Sequence, residues 1–162
     1  MVTEKQLWEL LENVSDPEVP VLTIVDLGIV RKVEISPKGQ IEITITPTYS
    51  GCPAMNYIEK SIHQCMEENS IAPVLIKTEL SPAWTTDWMT ENGRKKLKEY
   101  GIAPPVDEPD KHVLFGRKPT VPCPRCNSEH TKMLSQFGST SCKALFQCQE
   151  CQEPFEYFKC LK

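Results

Sequence analysis

Two short cysteine pairs constrain this chain more than any other feature: Cys123-Pro-Arg-Cys126 and Cys148-Gln-Glu-Cys151, with 21 residues between them. A CxxC pair sits on a tight turn and aims two sulfurs at one point, so two such pairs build a tetrahedral all-sulfur site. Four thiolates leave no open coordination position, which makes the expected metal, zinc, structural rather than catalytic. The predicted ligands are Cys123, Cys126, Cys148 and Cys151, and the predicted fold of residues 122–162 is a β-rich zinc ribbon. The gap is slightly longer than usual and leaves room for one extra turn. Cys142 and Cys160 flank this set without a CxxC partner. They read as small buried thiols, with a contribution to a transient cluster as the alternative.

The ribbon accounts for the last quarter of a 162-residue chain, so the remainder must hold one ordinary domain. No apolar run approaches the roughly 18 residues of a membrane span, and the acidic amphipathic N-terminus is unlike a signal peptide. The expected location is therefore the cytoplasm, where eight cysteines point to metal or sulfur chemistry rather than disulfides. Residues 1–102 carry 10 basic and 15 acidic side chains, and residues 122–162 carry 5 and 4. A ribbon with so little positive charge cannot displace counterions from phosphate, which argues against nucleic acid as a partner.

Thr3-Glu-Lys-Gln6 fits a capping box and predicts a helix whose buried face is Leu7, Leu10, Leu11 and Val14, ended by Ser15-Asp16-Pro17. A Gly28 turn leads into a strand through about Glu34, and Ser36-Pro37-Lys38-Gly39 is a turn. Residues 40–46 alternate Ile41, Ile43 and Ile45 with polar residues, the pattern of a half-buried strand and the second arm of a hairpin. Met55, Ile58, Ile62 and Met66 line one face of a helix over 53–69. A strand over 74–80 and a helix over 90–100, stopped by Gly101, complete an α-β-β-α-β-α order. The expected fold class is α+β, a small sheet of three or four strands packed with helices over 1–102. A Pro-rich linker over 103–121 then leads to the ribbon.

Cys52 lies outside the ribbon, in Thr46-Pro-Thr-Tyr-Ser-Gly-Cys-Pro53, where a strand ends and a helix begins with Pro53 at its first position. At the N-cap, free N–H groups and the helix dipole favour a thiolate, a good nucleophile or soft-metal ligand. The plain structural reading is a small capping residue; the Gly-Cys-Pro loop favours chemistry. Asp16, Glu18 and Asp26 could gather near Cys52, although Asp16 and Glu18 read individually as solvated turn residues. His63 and Cys65 fall on different faces of one helix, and His112 and His130 have no matching acid. No catalytic triad spacing, phosphate loop or diiron motif is present, so the chain does not read as an enzyme. Trp84 and Trp88 are packing residues or, in a loop, anchors for a partner. The run Arg94, Lys95, Lys96 and Lys98 is a solvated face or a dock for an acidic client.

The segment Asp16-Pro-Glu-Val-Pro-Val-Leu-Thr-Ile-Val-Asp-Leu-Gly-Ile-Val30, followed by Thr46-Pro-Thr-Tyr-Ser-Gly-Cys-Pro-Ala54, resembles the SufT-like domain of iron–sulfur cluster assembly factors. Ser81-Pro-Ala-Trp-Thr-Thr-Asp-Trp-Met-Thr90, Tyr100-Gly-Ile-Ala-Pro-Pro105 and Phe137-Gly-Ser-Thr-Ser-Cys-Lys-Ala-Leu-Phe146 around the ribbon are similar to the PaaD (PaaJ) family. That family is encoded with the phenylacetyl-CoA epoxidase of bacterial phenylacetate catabolism. The resemblance implies a non-enzymatic accessory role, the maturation or delivery of the iron–sulfur cluster of the epoxidase's reductase. The alternative is a structural subunit bridging the multicomponent oxygenase. It places the family's reactive cysteine at Cys52 and the acid of its Asp-Leu-Gly motif at Asp26, both as candidates for transient iron or cluster binding. The implied partners are the reductase and oxygenase components, the iron–sulfur assembly machinery and, through a sheet edge or swapped segment, a second copy of the chain.

Overall fold

A computed structural model describes residues 1–49, 51–71, 73–106 and 120–159. The chain is α+β and divides into two compact units, Met1–Gly93 and Arg94–Lys162.

In the first unit, α1 (Glu4–Leu11) opens with the reciprocal cap anticipated from sequence. The Thr3 N–H donates to Gln6 Oε1 at 2.9 Å, and the Gln6 N–H donates to Thr3 Oγ1 at 3.3 Å. Leu7 and Leu11 are fully buried and Val14 nearly so, whereas Leu10 is only half-buried. Residues 12–29 contain no regular element but build much of the core: Val19, Leu22, Ile24, Leu27 and Ile29 are all buried. Asp16 organises this stretch. Its Oδ1 accepts the N–H groups of Glu18 and Val19, each at 2.8 Å, so Asp16 is a buried turn-former rather than a solvated one.

Strands β1 (Val30–Ile35) and β2 (Ile41–Ile45) form the expected antiparallel hairpin. Gly39 takes φ +79° in its turn, a conformation that glycine adopts without cost. Helix α2 (Ala54–Glu68) crosses over to β3 (Val74–Thr78), which pairs parallel to β2, giving the order β1-β2-β3. Because β2 is the middle strand, Thr44 on its polar face is also buried, and the strand is more enclosed than its alternation implies. The buried face of α2 is Ala54, Ile58, Ile62 and Met66; Met55 is only half-buried, one position off the expected stripe. Helix α1 packs against β1 and α2, and α2 against β3. A short 3-10 turn at Thr86–Trp88 precedes α3 (Glu91–Tyr100). Thr90 caps α3 by accepting the Gly93 N–H at 2.9 Å, and Gly101 at φ +95° ends it.

The two units part inside α3 instead of at 102, and residues 102 and 103 join the second unit's sheet. There β4 (Ile102–Ala103) pairs parallel to β7 (Pro154–Phe158). β7 and β5 (Thr131–Ser135) flank β6 (Lys143–Cys148) as antiparallel neighbours. The order is β4-β7-β6-β5. The core holds Val121, Ala144, Phe146, Phe155 and Tyr157 together with Cys123 and Cys148. Phe146 stacks on Phe155 and meets Tyr157 edge-on, with centroids 5.9 and 5.6 Å apart. Arg94 donates to the Pro105 carbonyl at 2.9 Å, tying the segment after β4 to α3. Most of the expected linker, with His112, lies outside the described residues, as does Cys160.

Candidate metal centre and the cysteine loop

The four ribbon cysteines converge as their spacing requires. All four sulfurs lie within 4.8 Å of one another. Cys123 and Cys151 are 3.7 Å apart, and Cys126 and Cys148 are 3.5 Å apart. A tetrahedral zinc with Zn–S bonds of about 2.3 Å sets its sulfurs about 3.8 Å apart, so the set fits that ion with little adjustment.

Each pair is presented by the same turn. The Cys123 N–H donates to Ser128 O at 2.9 Å, and the Cys148 N–H donates to Glu153 O at 3.0 Å. Each turn passes through a left-handed residue just after its second cysteine, Asn127 at φ 60° and Gln152 at φ 64°. Two polar contacts hold the turns together: Arg125 to Glu153 at 3.2 Å and His130 Nδ1 to Glu150 at 2.8 Å. The Cys151 N–H, 3.5 Å from the Cys148 sulfur, is the main cause holding that thiol down at about 7. The Glu153 backbone donor pulls Cys151 down, but burial and the hydrogen-bonded sulfurs of Cys148, Cys123 and Cys126 push it up to about 12. Such a pocket holds protons that a bound cation would expel. Cys142 is buried beside the Thr140 hydroxyl, at 3.0 Å, and is not one of the convergent sulfurs.

Cys52 is half-buried on a loop that turns at Gly51, φ +76°. It sits one residue further from α2 than its sequence suggests. Pro53, with φ −67° and ψ −20°, is the N-cap, and Ala54 is the first helical residue. The Cys52 N–H donates to Tyr49 O, and its carbonyl accepts the Met55 N–H, both at 3.3 Å. α2 has no capping side chain and no acid in its first turn, so nothing from the helix itself offsets the positive end of its dipole next to this loop. Cys65 differs in character. Its thiol lies 3.5 Å from Leu10 O as a donor, and burial pushes its pKa up. His63 is exposed on α2.

Asp26 is buried, and its carboxylate is engaged. Oδ2 accepts the Thr23 N–H at 3.2 Å; Oδ1 accepts the Thr90 hydroxyl at 3.2 Å and the Asn92 amide at 3.4 Å. Thr90 N–H adds a bond to Asp26 O at 2.9 Å, and Gly93 passes so close that a Cβ there would lie 3.0 Å from that of Asp26. Among the described residues, Cys52, Asp16, Glu18 and Asp26 do not form a convergent group of three or more metal-ligating side chains. Thr90, Asn92 and Gly93 carried only the signal of a helix start. Trp84 is buried and donates its indole N–H to Leu27 O at 2.8 Å, while the Arg31 guanidinium lies 3.4 Å above the Trp88 ring. Both tryptophans therefore serve internal packing.

The residues that carry these two features match two family models: an iron–sulfur cluster assembly protein over 4–68, and a PaaD zinc beta ribbon domain over 107–159. An Escherichia coli K12 protein, provisionally named as a component of 1,2-phenylacetyl-CoA epoxidase, is 51% identical over 156 residues, covering 96% of this chain and 92% of that one. The chain belongs to the PaaD family. Its first part has relatives outside PaaD. A Porphyromonas gingivalis Fe-S protein maturation auxiliary factor is 31% identical over 96 residues, 59% of this chain and 90% of its own. A crystal structure of a domain of unknown function from Bacillus anthracis superposes with a TM-score of 0.55 at 28% identity, covering 58% of this chain and 90% of that one. This PaaD chain thus joins an iron–sulfur assembly domain to a four-cysteine ribbon. No helix among its described residues is long and apolar enough to cross a membrane.

Proposed function

We propose that this chain is a non-catalytic maturation factor that passes iron or an iron–sulfur cluster, through Cys52, to the reductase component of a phenylacetyl-CoA epoxidase. The observation that carries this reading is the separation of two kinds of sulfur. Four cysteines close on one another in the ribbon and suit a resident zinc. Cys52 stands apart, partly open to solvent, in a glycine turn at the head of α2. A closed set suits a permanent ion, and a single accessible thiol suits cargo that must leave again. Cys52 would bind iron as a thiolate, its proton passing to solvent.

Asp26 acts in this reading by holding the 23–29 loop against the start of α3. Direct ligation of cargo by its carboxylate would require one of the bonds from Thr23, Thr90 or Asn92 to be given up. The ribbon is the element left to recognise the client and the assembly machinery in the cytoplasm.

The proposal is tested on protein purified without oxygen after cluster loading, by assaying iron, sulfide and zinc. The wild type should hold iron and sulfide besides about one zinc per chain, and Cys52→Ala should lose the iron and sulfide while retaining the zinc. Iron and sulfide unchanged in Cys52→Ala would remove the cysteine from the account. The name of the Escherichia coli relative favours a second reading, a structural component that bridges the oxygenase assembly. Stable stoichiometric co-purification with the oxygenase would support that reading over transient contact with the apo-reductase.

A further inference from the structure

The outer edge of β3 carries a pattern complementary to itself. β3 ends the β1-β2-β3 sheet, and among the described residues no second strand pairs with it. In a parallel pair, alternate residues direct both backbone groups to the same neighbour. The Glu79 N–H donates to Ile45 O at 2.9 Å, so Leu75, Lys77 and Glu79 turn their backbone groups toward β2. Ile76, Thr78 and Leu80 turn theirs outward. The other sheet edges are blunted: β1 has a register shift between Val30 and Lys32, β5 one between Met133 and Ser135, and β4 has two residues. β3 runs in unbroken register with β2 from Val74 to Thr78.

We propose that this edge is a homodimer interface, in which a second copy lies antiparallel about a two-fold axis at Thr78. In that register Thr78 faces its own copy and Ile76 faces Leu80, and these are the residues with outward backbone groups. They form the hydrogen-bonded pairs of the new ladder, and Lys77 faces Glu79 as the closely spaced pair between them. Lys77 and Glu79 already touch within one chain at 3.1 Å, so the axis completes a ring of four alternating charges. Centring the axis on Lys77 would instead oppose two lysines. The side chain of Leu80, 63% exposed, gains Ile76 as a neighbour. The interface is isologous and fuses two three-stranded sheets into one.

Sedimentation equilibrium of the zinc-loaded full chain tests this, with circular dichroism confirming that each variant is folded. The wild type should associate to a dimer. Lys77→Glu and Glu79→Lys each put like charges around the axis and should each weaken association about tenfold. Mixing these two variants pairs an all-acidic edge with an all-basic one, and the mixture should dimerise as well as the wild type. Thr78→Pro removes an outward N–H that β2 does not use, so it should keep the fold and lose the dimer. A wild type that stays monomeric throughout, or a mixture no tighter than its two components, would overturn the proposal.

Discussion

Cys148→Ser should remove the ribbon's metal and its fold together. Cys148 is fully buried at the end of β6, 3.5 Å from the Cys126 sulfur, and it belongs to the core as well as to the ligand set. Serine keeps the shape but supplies a hard hydroxyl in place of a thiolate, and three ligands do not hold a structural zinc well. The ion's binding energy, on the order of 10–16 kcal/mol in small zinc domains, is there inseparable from folding. A small core of Val121, Ala144, Phe146, Phe155 and Tyr157 is too little to stand without it. Zinc should fall from about one per chain to near zero, and residues 120–159 should become sensitive to protease. Trp8, Trp84 and Trp88 all lie in Met1–Gly93, so the tryptophan fluorescence of the first unit should be unchanged. Retained zinc and protease resistance would contradict the ligand assignment.

Gly28→Ala should be the most damaging single methyl in the first unit. Gly28 has φ +72°, and a Cβ there would lie 2.3 Å from Trp88 O and 2.8 Å from Trp88 C. Those are backbone atoms that cannot swing aside. They belong to a seam in which Trp84 donates to Leu27 O at 2.8 Å and Thr90 donates to Asp26 O at 2.9 Å. Left-handed strain and the clash together should cost about 3 kcal/mol or more, a large part of the roughly 5–15 kcal/mol that holds such a domain together. Denaturant unfolding followed by tryptophan fluorescence reads the loss directly. A variant within about 1 kcal/mol of wild type would mean that the seam is looser than its distances indicate.

What was legible in the sequence was local. The Thr3–Gln6 cap, the hairpin turn at Gly39, the α3 stop at Gly101 and the two CxxC turns each depend on residues within a few positions of one another. What escaped depends on distant partners. Thr44 is buried because β2 has a strand on either side, which its alternation cannot report. Ile102 and Ala103 join the ribbon's sheet through two residues of parallel pairing, too short to leave a pattern. Asp26 marks itself as notable in sequence, but Thr90 and Asn92 lie more than sixty residues away, and only the fold brings them to its carboxylate. The one-residue displacement of Cys52 from the α2 cap has a local cause: Pro53 itself takes the capping position, and helix boundaries are the least certain part of any sequence reading.

The central claim is that Cys52 serves the loading of a client's iron–sulfur cluster while the ribbon remains intact. The direct measurement is the cluster content of the epoxidase reductase, isolated from cells carrying either wild-type protein or Cys52→Ala at equal abundance, with zinc in the variant verified. The account predicts a reductase largely lacking its cluster in the Cys52→Ala cells and filled in the wild type. A fully loaded reductase in both would contradict it.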